Sequence, residues 1–87
     1  MNKKKLKTIR AQIDEIDVRI LDLLDARMQH VLDIGHEKSK KGAPVFSPVR
    51  EKQIYDSLKE RAKKSILPES ALKSIYREIM SAAIALE

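Results

Sequence analysis

An uninterrupted helical pattern near the N-terminus constrains this chain more than any other feature. Apolar side chains recur there at alternating intervals of three and four residues, which is the period of one buried helical face. They are Leu6, Ile9, Ile13, Ile16, Ile20 and Leu23. No proline occurs in this stretch, and no glycine occurs before Gly35. We therefore predict a first helix from about residue 5 to about residue 40.

This first helix is too long for the rest of the chain to cover. At about 1.5 Å per residue it is roughly 50 Å long, whereas a globule of 87 residues is only about 25 Å across. So small a chain usually needs disulfides, a metal or a partner subunit. Cysteine is absent, and His30 and His36 fit no zinc spacing. We therefore expect the helix to pair with a second copy of itself.

Two shorter helices follow, and no segment has the pattern of a strand. Ser47 followed by Pro48 is typical of an N-cap and a first helical position. We predict a second helix from residue 48 to about residue 63 and a third from residue 68 to residue 87. The apolar line of the third helix comprises Ala71, Leu72, Ile75, Ile79, Ala82, Ala83 and Leu86. Residues 1–87 thus form one all-α domain with one long and two shorter helices.

The formal net charge of +5 would suit nucleic acid, a membrane surface or a small anion. The basic runs lack interleaved aromatic residues for base stacking. The first helix is also too long for a tight helix-turn-helix. No apolar run approaches membrane length, and no apolar segment follows the N-terminal lysines as it would in a signal peptide. We expect a cytoplasmic protein that binds neither nucleic acid nor membrane.

Two cations continue the apolar face of the first helix. Arg27 takes the next position of the series, and Lys38 lies eleven residues, or about three turns, further on. A buried guanidinium needs an anionic partner, so Arg27 and Lys38 indicate half of an anion site. Arg10 is about 25 Å from Arg27 along the helix and would reach such a site only from the other copy of an antiparallel dimer. The alternatives are a surface pair of Arg10 with Asp14, an Arg27 that snorkels to solvent, and a Lys38 that is solvated like its basic neighbours.

Four short motifs, in this order, resemble those of the all-helical chorismate mutases. They occupy residues 9–17, 23–27, 34–38 and 48–51. Members of that family are intertwined homodimers of three-helix chains with two shared sites, so the resemblance implies the same architecture here. Residues 75–83 resemble the domain as it is found joined to prephenate dehydratase or to a synthase of the same pathway. A longer parent chain with such a fused domain is a further expectation.

The reaction that the resemblance implies converts chorismate to prephenate in phenylalanine and tyrosine biosynthesis. It is a unimolecular Claisen rearrangement, which needs no covalent catalysis, metal or cofactor. The protein would hold a flexible dicarboxylate in a chair-like shape and stabilise charge on its ether oxygen. Two alternatives stay open: a mutase-like regulatory or binding module of a larger aromatic-pathway enzyme, and a basic helical dimer that binds nucleic acid.

By this resemblance, cations of the first helix bind the substrate. Arg27 and the partner's Arg10 would hold the carboxylates, and Lys38 would donate to the ether oxygen. Glu87 matches the position of a second donor to that oxygen, where some relatives have glutamine. The alternative for Glu87 is a frayed helix end.

The start of the second helix would complete the site. Glu51 would accept a hydrogen bond from the ring hydroxyl, with Ser47 nearby, and Arg50 would orient Glu51 and add positive charge. The alternative for Arg50 and Glu51 is a solvated first turn. Two departures from the family pattern concern substrate contacts: Ser47 stands where some relatives have aspartate, and Ala83 where some have serine.

The protonation of Glu87 provides a test. An ionised carboxylate would repel negative charge on the ether oxygen, so Glu87 must be protonated to assist Lys38. The negative end of the helix favours this proton, and Lys38 opposes it. Catalysis is expected to weaken as the pH rises through the pKa of Glu87, and E87Q should flatten the pH–rate profile. Equally steep profiles of kcat/KM for the two proteins would contradict this role.

Overall fold

A computed structural model describes residues 2–42 and 47–86 of the chain. Within these ranges the chain forms three α-helices and no β-strand: α1 (Lys3–Lys40), α2 (Pro48–Ala62) and α3 (Glu69–Leu86). The predicted all-α fold with one long and two shorter helices is confirmed. The chain divides into two compact units, residues 1–30 and 31–87, with the boundary inside α1. None of the described helices is both long and apolar enough to cross a membrane.

Helix α1 begins two residues earlier than the apolar pattern indicates, because Asn2 caps it. The Asn2 Oδ1 atom accepts a hydrogen bond from the Lys5 amide at 2.8 Å. The Asn2 carbonyl accepts a second bond from the Leu6 amide at 3.1 Å. Amides of the first helical turn have no partner within the helix, which is why asparagine is favoured at this position.

The apolar face of the first unit is open to solvent. Helix α1 contains no buried residue. Four members of the predicted apolar series are between 49% and 70% exposed, namely Ile13, Ile16, Ile20 and Leu23. Soluble monomers rarely expose an apolar surface of this extent, so the face is expected to pack against another surface.

The second unit starts with the end of α1. The amides of Lys41 and Gly42 donate to the carbonyls of Lys38 and Ser39, each at 3.2 Å. Gly42 then adopts a φ of 67°, a left-handed conformation that glycine reaches without the steric cost of a Cβ. This residue ends the long helix, and α2 begins at Pro48 after four residues that lie outside the described ranges.

Helices α2 and α3 pack against each other and contain the buried residues. Leu58 of α2 is 7% exposed, and Met80 and Ala83 of α3 are each 8% exposed. The Pro68 carbonyl accepts bonds from two amides of the first turn of α3, so the helix begins one residue later than predicted. A core of aliphatic and methionine side chains agrees with the low aromatic content of the chain.

Replacement of Leu58 tests this packing. L58A should lower the free energy of unfolding by about 2–4 kcal/mol, because it opens a cavity in a small core. V49A is a matched control on the same helix, since the Val49 side chain is 69% exposed, and it should change stability by less than about 0.5 kcal/mol. Urea unfolding at one fixed protein concentration measures both variants. Equal losses would contradict the assignment of Leu58 to the core.

Candidate active site

Burial separates two cations of α1 from the other charged residues of that helix. Arg27 and Lys38 are half-buried, whereas all other charged residues from Lys3 to Lys40 are exposed. The Nη1 atom of Arg27 is shielded from solvent. Both side chains also take part in interactions within the chain. Partial burial removes hydration from a cation and so favours an anionic partner, which makes these two residues candidates for binding an anion.

Arg10 has a different environment from Arg27, although both belong to the first unit. Arg10 is exposed, and among the residues that the structure describes it forms no ion pair with Asp14. Seventeen residues separate the two arginines, which is about 25 Å along α1. One copy therefore does not bring both guanidinium groups to one small ligand. A shared site that takes Arg10 from the other copy stays a prediction.

The first turn of α2 brings Ser47, Arg50 and Glu51 together. Ser47 has an extended backbone, with φ −127° and ψ 106°, and its Oγ accepts a hydrogen bond from the Arg50 amide at 3.2 Å. The Ser47 carbonyl accepts the Glu51 amide at 3.1 Å. The predicted N-cap is thus confirmed. A hydroxyl has one proton and two lone pairs, so Ser47 keeps a proton to donate while it caps the helix.

Glu51 is the one charged residue of α2, from Pro48 to Ala62, that is not exposed. It precedes Ile54 and Leu58 by three and seven residues, so it shares their helix face and lies half-buried at its N-terminal end. This spacing is visible in the sequence and indicates that Glu51 is partly buried, not fully solvated in the first turn of α2. The unpaired amides at the start of α2 carry partial positive charge, which attracts a carboxylate at this position. Such a carboxylate is suited to accept a hydrogen bond from a ligand hydroxyl.

Arg50 is exposed, and its Nη1 makes a long hydrogen bond of 3.4 Å to Gln53 Oε1 on the same helix. The orientation of Glu51 by Arg50 therefore stays a prediction. Ala83 is buried and supplies no side-chain hydrogen bond at the position where some members of the family have serine. Glu87, the predicted second donor to the ether oxygen, lies outside the described residues.

Other charged residues pair locally along α2 and α3, as is typical of solvated helix faces. Lys52 contacts Asp56 at 2.8 Å, and the Lys63–Glu60 and Lys73–Glu69 pairs are each 3.1 Å apart. The hydrogen bond and the attraction from Asp56 raise the pKa of Lys52 above its ordinary value. The Lys52 and Lys63 pairs are exposed, and such pairs contribute little to stability. In the described ranges, no three His, Asp or Glu residues cluster in a way that suits a metal ion.

The half-buried charged residues of α1 and α2 are Arg27, Lys38 and Glu51. The family model of chorismate mutase type II matches residues 9–87. The chain therefore belongs to the chorismate mutase type II family, and the resemblance of the four sequence motifs is confirmed.

The chain is similar both to one part of long relatives and to most of a short one. A bifunctional chorismate mutase/prephenate dehydratase from Aquifex aeolicus is 40% identical over 87 residues, which is 97% of this chain and 24% of that protein. A T-protein from Enterobacter agglomerans is 33% identical over 76 residues, or 87% of this chain and 20% of that protein. A chorismate mutase from Methanocaldococcus jannaschii is 36% identical over 74 residues, or 85% of this chain and 75% of that protein. The chain thus spans a quarter or less of the first two relatives.

Proposed function

We propose that this chain catalyses the rearrangement of chorismate to prephenate in the biosynthesis of phenylalanine and tyrosine. The observation that carries the proposal is the half-burial of Arg27, Lys38 and Glu51, which sets them apart from the other charged residues of α1 and α2. Membership of the chorismate mutase type II family supports it. The name of the M. jannaschii relative, of which the chain covers 75%, supports it further.

A Claisen rearrangement makes two demands on a protein, and neither requires a nucleophile. One ether C–O bond breaks while one C–C bond forms in the same molecule, so all atoms and electron pairs stay within the substrate. The protein must first hold the flexible dicarboxylate in its compact reactive shape, which removes an entropic part of the barrier. It must then stabilise the negative charge that develops on the ether oxygen, which preoriented donors do best.

The roles of the α1 cations follow from these two demands. Arg27 and the partner's Arg10 hold the two carboxylates, because a guanidinium offers paired N–H groups that match a carboxylate. Lys38 donates from its ammonium group to the ether oxygen. Partial burial makes the attraction of Arg27 and Lys38 for the dianion stronger than it would be in open water.

The start of α2 and the last residue supply the remaining contacts. Glu51 accepts a hydrogen bond from the ring hydroxyl, and Ser47 uses its remaining proton as a nearby donor. Arg50 adds positive charge beside them. Protonated Glu87 is the second donor to the ether oxygen. The capping bond that holds Ser47 and the half-burial of Glu51 support these positions.

We further propose that two copies pair as an antiparallel, intertwined homodimer with two shared sites. The apolar face of α1, with Ile13, Ile16, Ile20 and Leu23 exposed in the single chain, supports such pairing. The separation of Arg10 from Arg27 also supports it, since only a second copy can bring an Arg10 to the site of Arg27. A longer parent chain with a fused prephenate dehydratase domain is a third proposal, supported by bifunctional relatives such as that of A. aeolicus.

Turnover of chorismate tests the activity and the assigned cations together. R27A and K38A should each lower kcat/KM by about a hundredfold or more, because each removes a charged contact to the reacting dianion. K40A is a matched control, since Lys40 is exposed in the same last turn as Lys38 and should leave kcat/KM within about threefold. Retained activity in both R27A and K38A would contradict the site. An inactive wild type would favour the regulatory module instead.

Mixing of inactive variants tests whether the sites are shared. In a heterodimer of R10A and K38A, one site keeps Arg27 and Lys38 from one copy and Arg10 from the other. Random pairing should therefore restore up to about a quarter of wild-type activity. A mixture of R27A with K38A is the control, because every site would then lack one of the two residues. Restoration in both mixtures, or in neither, would contradict the antiparallel arrangement.

A further inference from the structure

The positive charge of the chain is concentrated in eight residues. Residues 3–10, here named the cationic segment, contain Lys3, Lys4, Lys5, Lys7 and Arg10 and no acidic residue. The whole chain has 18 basic and 13 acidic residues, so the remainder contains 13 of each and is formally neutral. The net charge of +5 is therefore the charge of the cationic segment alone.

The cations of this segment are open to solvent and have no counter-charge nearby. All five are exposed, and among the described residues none of them forms an ion pair. The first acidic residue along the helix is Asp14, about one turn beyond Arg10. The segment therefore projects its full charge into the surrounding water.

Helix stability does not explain this composition. The start of a helix is its positive end, where acidic residues are favoured and cations are disfavoured. Helices α2 and α3 follow this rule and carry Glu51 and Glu69 in their first turns, whereas α1 has no acidic residue in its first turn. Like charges one turn apart also repel each other. This contrast within one chain indicates that the charge serves a purpose other than the stability of α1.

The shape of the surface argues against a binding pocket in the segment itself. Lys3 and Lys7 are one turn apart and share a side of α1, whereas Lys4 and Lys5 lie about 100° and 200° around the helix from Lys3. The four lysines thus surround the helix. The depression at this end of α1 is wide open to solvent and is lined by Asn2, Lys4, Lys5, Thr8, Ile9 and Gln12. Charge that surrounds a helix end without a pocket acts through its long-range field.

We propose that the cationic segment concentrates the dianionic substrate at the site to which its own Arg10 contributes. This inference rests on the proposed function, from which it takes the substrate and the role of Arg10. The lysines lie three to seven residues from Arg10, or about 5–10 Å along the helix. A dianion bound by Arg10 is thus within about 15 Å of each lysine, a distance over which attraction is strong at low ionic strength and largely screened at about 0.15 M.

The field should change substrate affinity without changing the chemical step. Chorismate is a dianion both in the bound state and in the transition state, so distant lysines stabilise the two states almost equally. Interactions of this uniform kind lower KM and leave kcat unchanged. The lysines are therefore expected to differ from Lys38, which acts on charge that develops only during the reaction.

A variant without the four lysines tests the proposal. K3Q/K4Q/K5Q/K7Q keeps Arg10 and replaces lysine by a residue of similar helix propensity. At an ionic strength of about 10 mM, the KM for chorismate should rise about five- to tenfold, and at about 0.15 M it should rise about twofold or less. The kcat should stay unchanged at both. The matched control R61Q/K63Q/K64Q/K73Q removes the same number of charges at positions ten or more residues beyond Glu51, and its KM should change by less than about twofold.

The possible outcomes separate this inference from the proposed function. Suppose that wild type turns over chorismate and that, at each of the two ionic strengths, the KM of the segment variant equals that of wild type. The inference alone is then overturned. An inactive wild type overturns both. If KM is unaffected but wild type, unlike the variant, binds a short DNA duplex with salt-dependent affinity, the segment is a polyanion-binding surface instead.

Thermal unfolding gives a readout that does not depend on activity. Removal of four repelling cations from the positive end of α1 should leave the Tm of the segment variant equal to or above that of wild type. A lower Tm would overturn the premise that the lysines are held at a cost to the helix. An unchanged or higher Tm also ensures that the kcat of the variant is measured on fully folded protein.

Discussion

The structure depends on an apolar helix face that the single chain leaves exposed. The buried part of the described chain consists of Leu58, Met80 and Ala83 at the contact of α2 with α3, and a core of that size stabilises a fold only weakly. Much more apolar surface lies along α1, where no residue is buried. Folding and association are therefore expected to be coupled, because the larger share of the hydrophobic free energy becomes available only when the α1 face is covered.

The same helix face carries the two cations of the proposed site. Arg27 and Lys38 continue the line of isoleucine and leucine side chains, so any surface that covers the apolar residues also takes water away from the two cations. Removal of water would strengthen their attraction for a dianion and hold them in place for the proposed reaction. Stability and the proposed catalysis would then depend on one feature, and a substitution that weakens the proposed pairing of α1 is expected to weaken the site as well.

The fold could largely be predicted from the sequence, because helical periodicity and capping residues are local signals. Ser47 and Pro48 predict the start of α2 to the residue. Asn2 precedes the apolar pattern, so periodicity alone places the start of α1 too late. Met80 is absent from the predicted apolar line of α3 and is nevertheless buried. Methionine has a flexible side chain that can fill irregular spaces in a core.

The site was predictable only in part, because its residues depend on packing beyond one helix. The helical spacing of the apolar residues in α1 singles out Arg27 and Lys38, and both are half-buried in the structure. Glu51 is half-buried on the helix face that also carries Leu58, and the pattern of a single helix indicates such burial only indirectly. The proposed role of Arg10 depends on a second copy, and no pattern within one chain can establish that contact.

The continuity of α1 also limits how the length of such a chain can vary during evolution. Arg10 and Arg27 lie on one continuous helix, and no loop interrupts it between them. The number of intervening residues therefore determines both their separation and their relative direction around the helix. One inserted residue would turn everything beyond it by about 100° and shift it by about 1.5 Å. Substitutions can accumulate between the two arginines, whereas insertions and deletions are expected only in the connections between helices or at the chain ends.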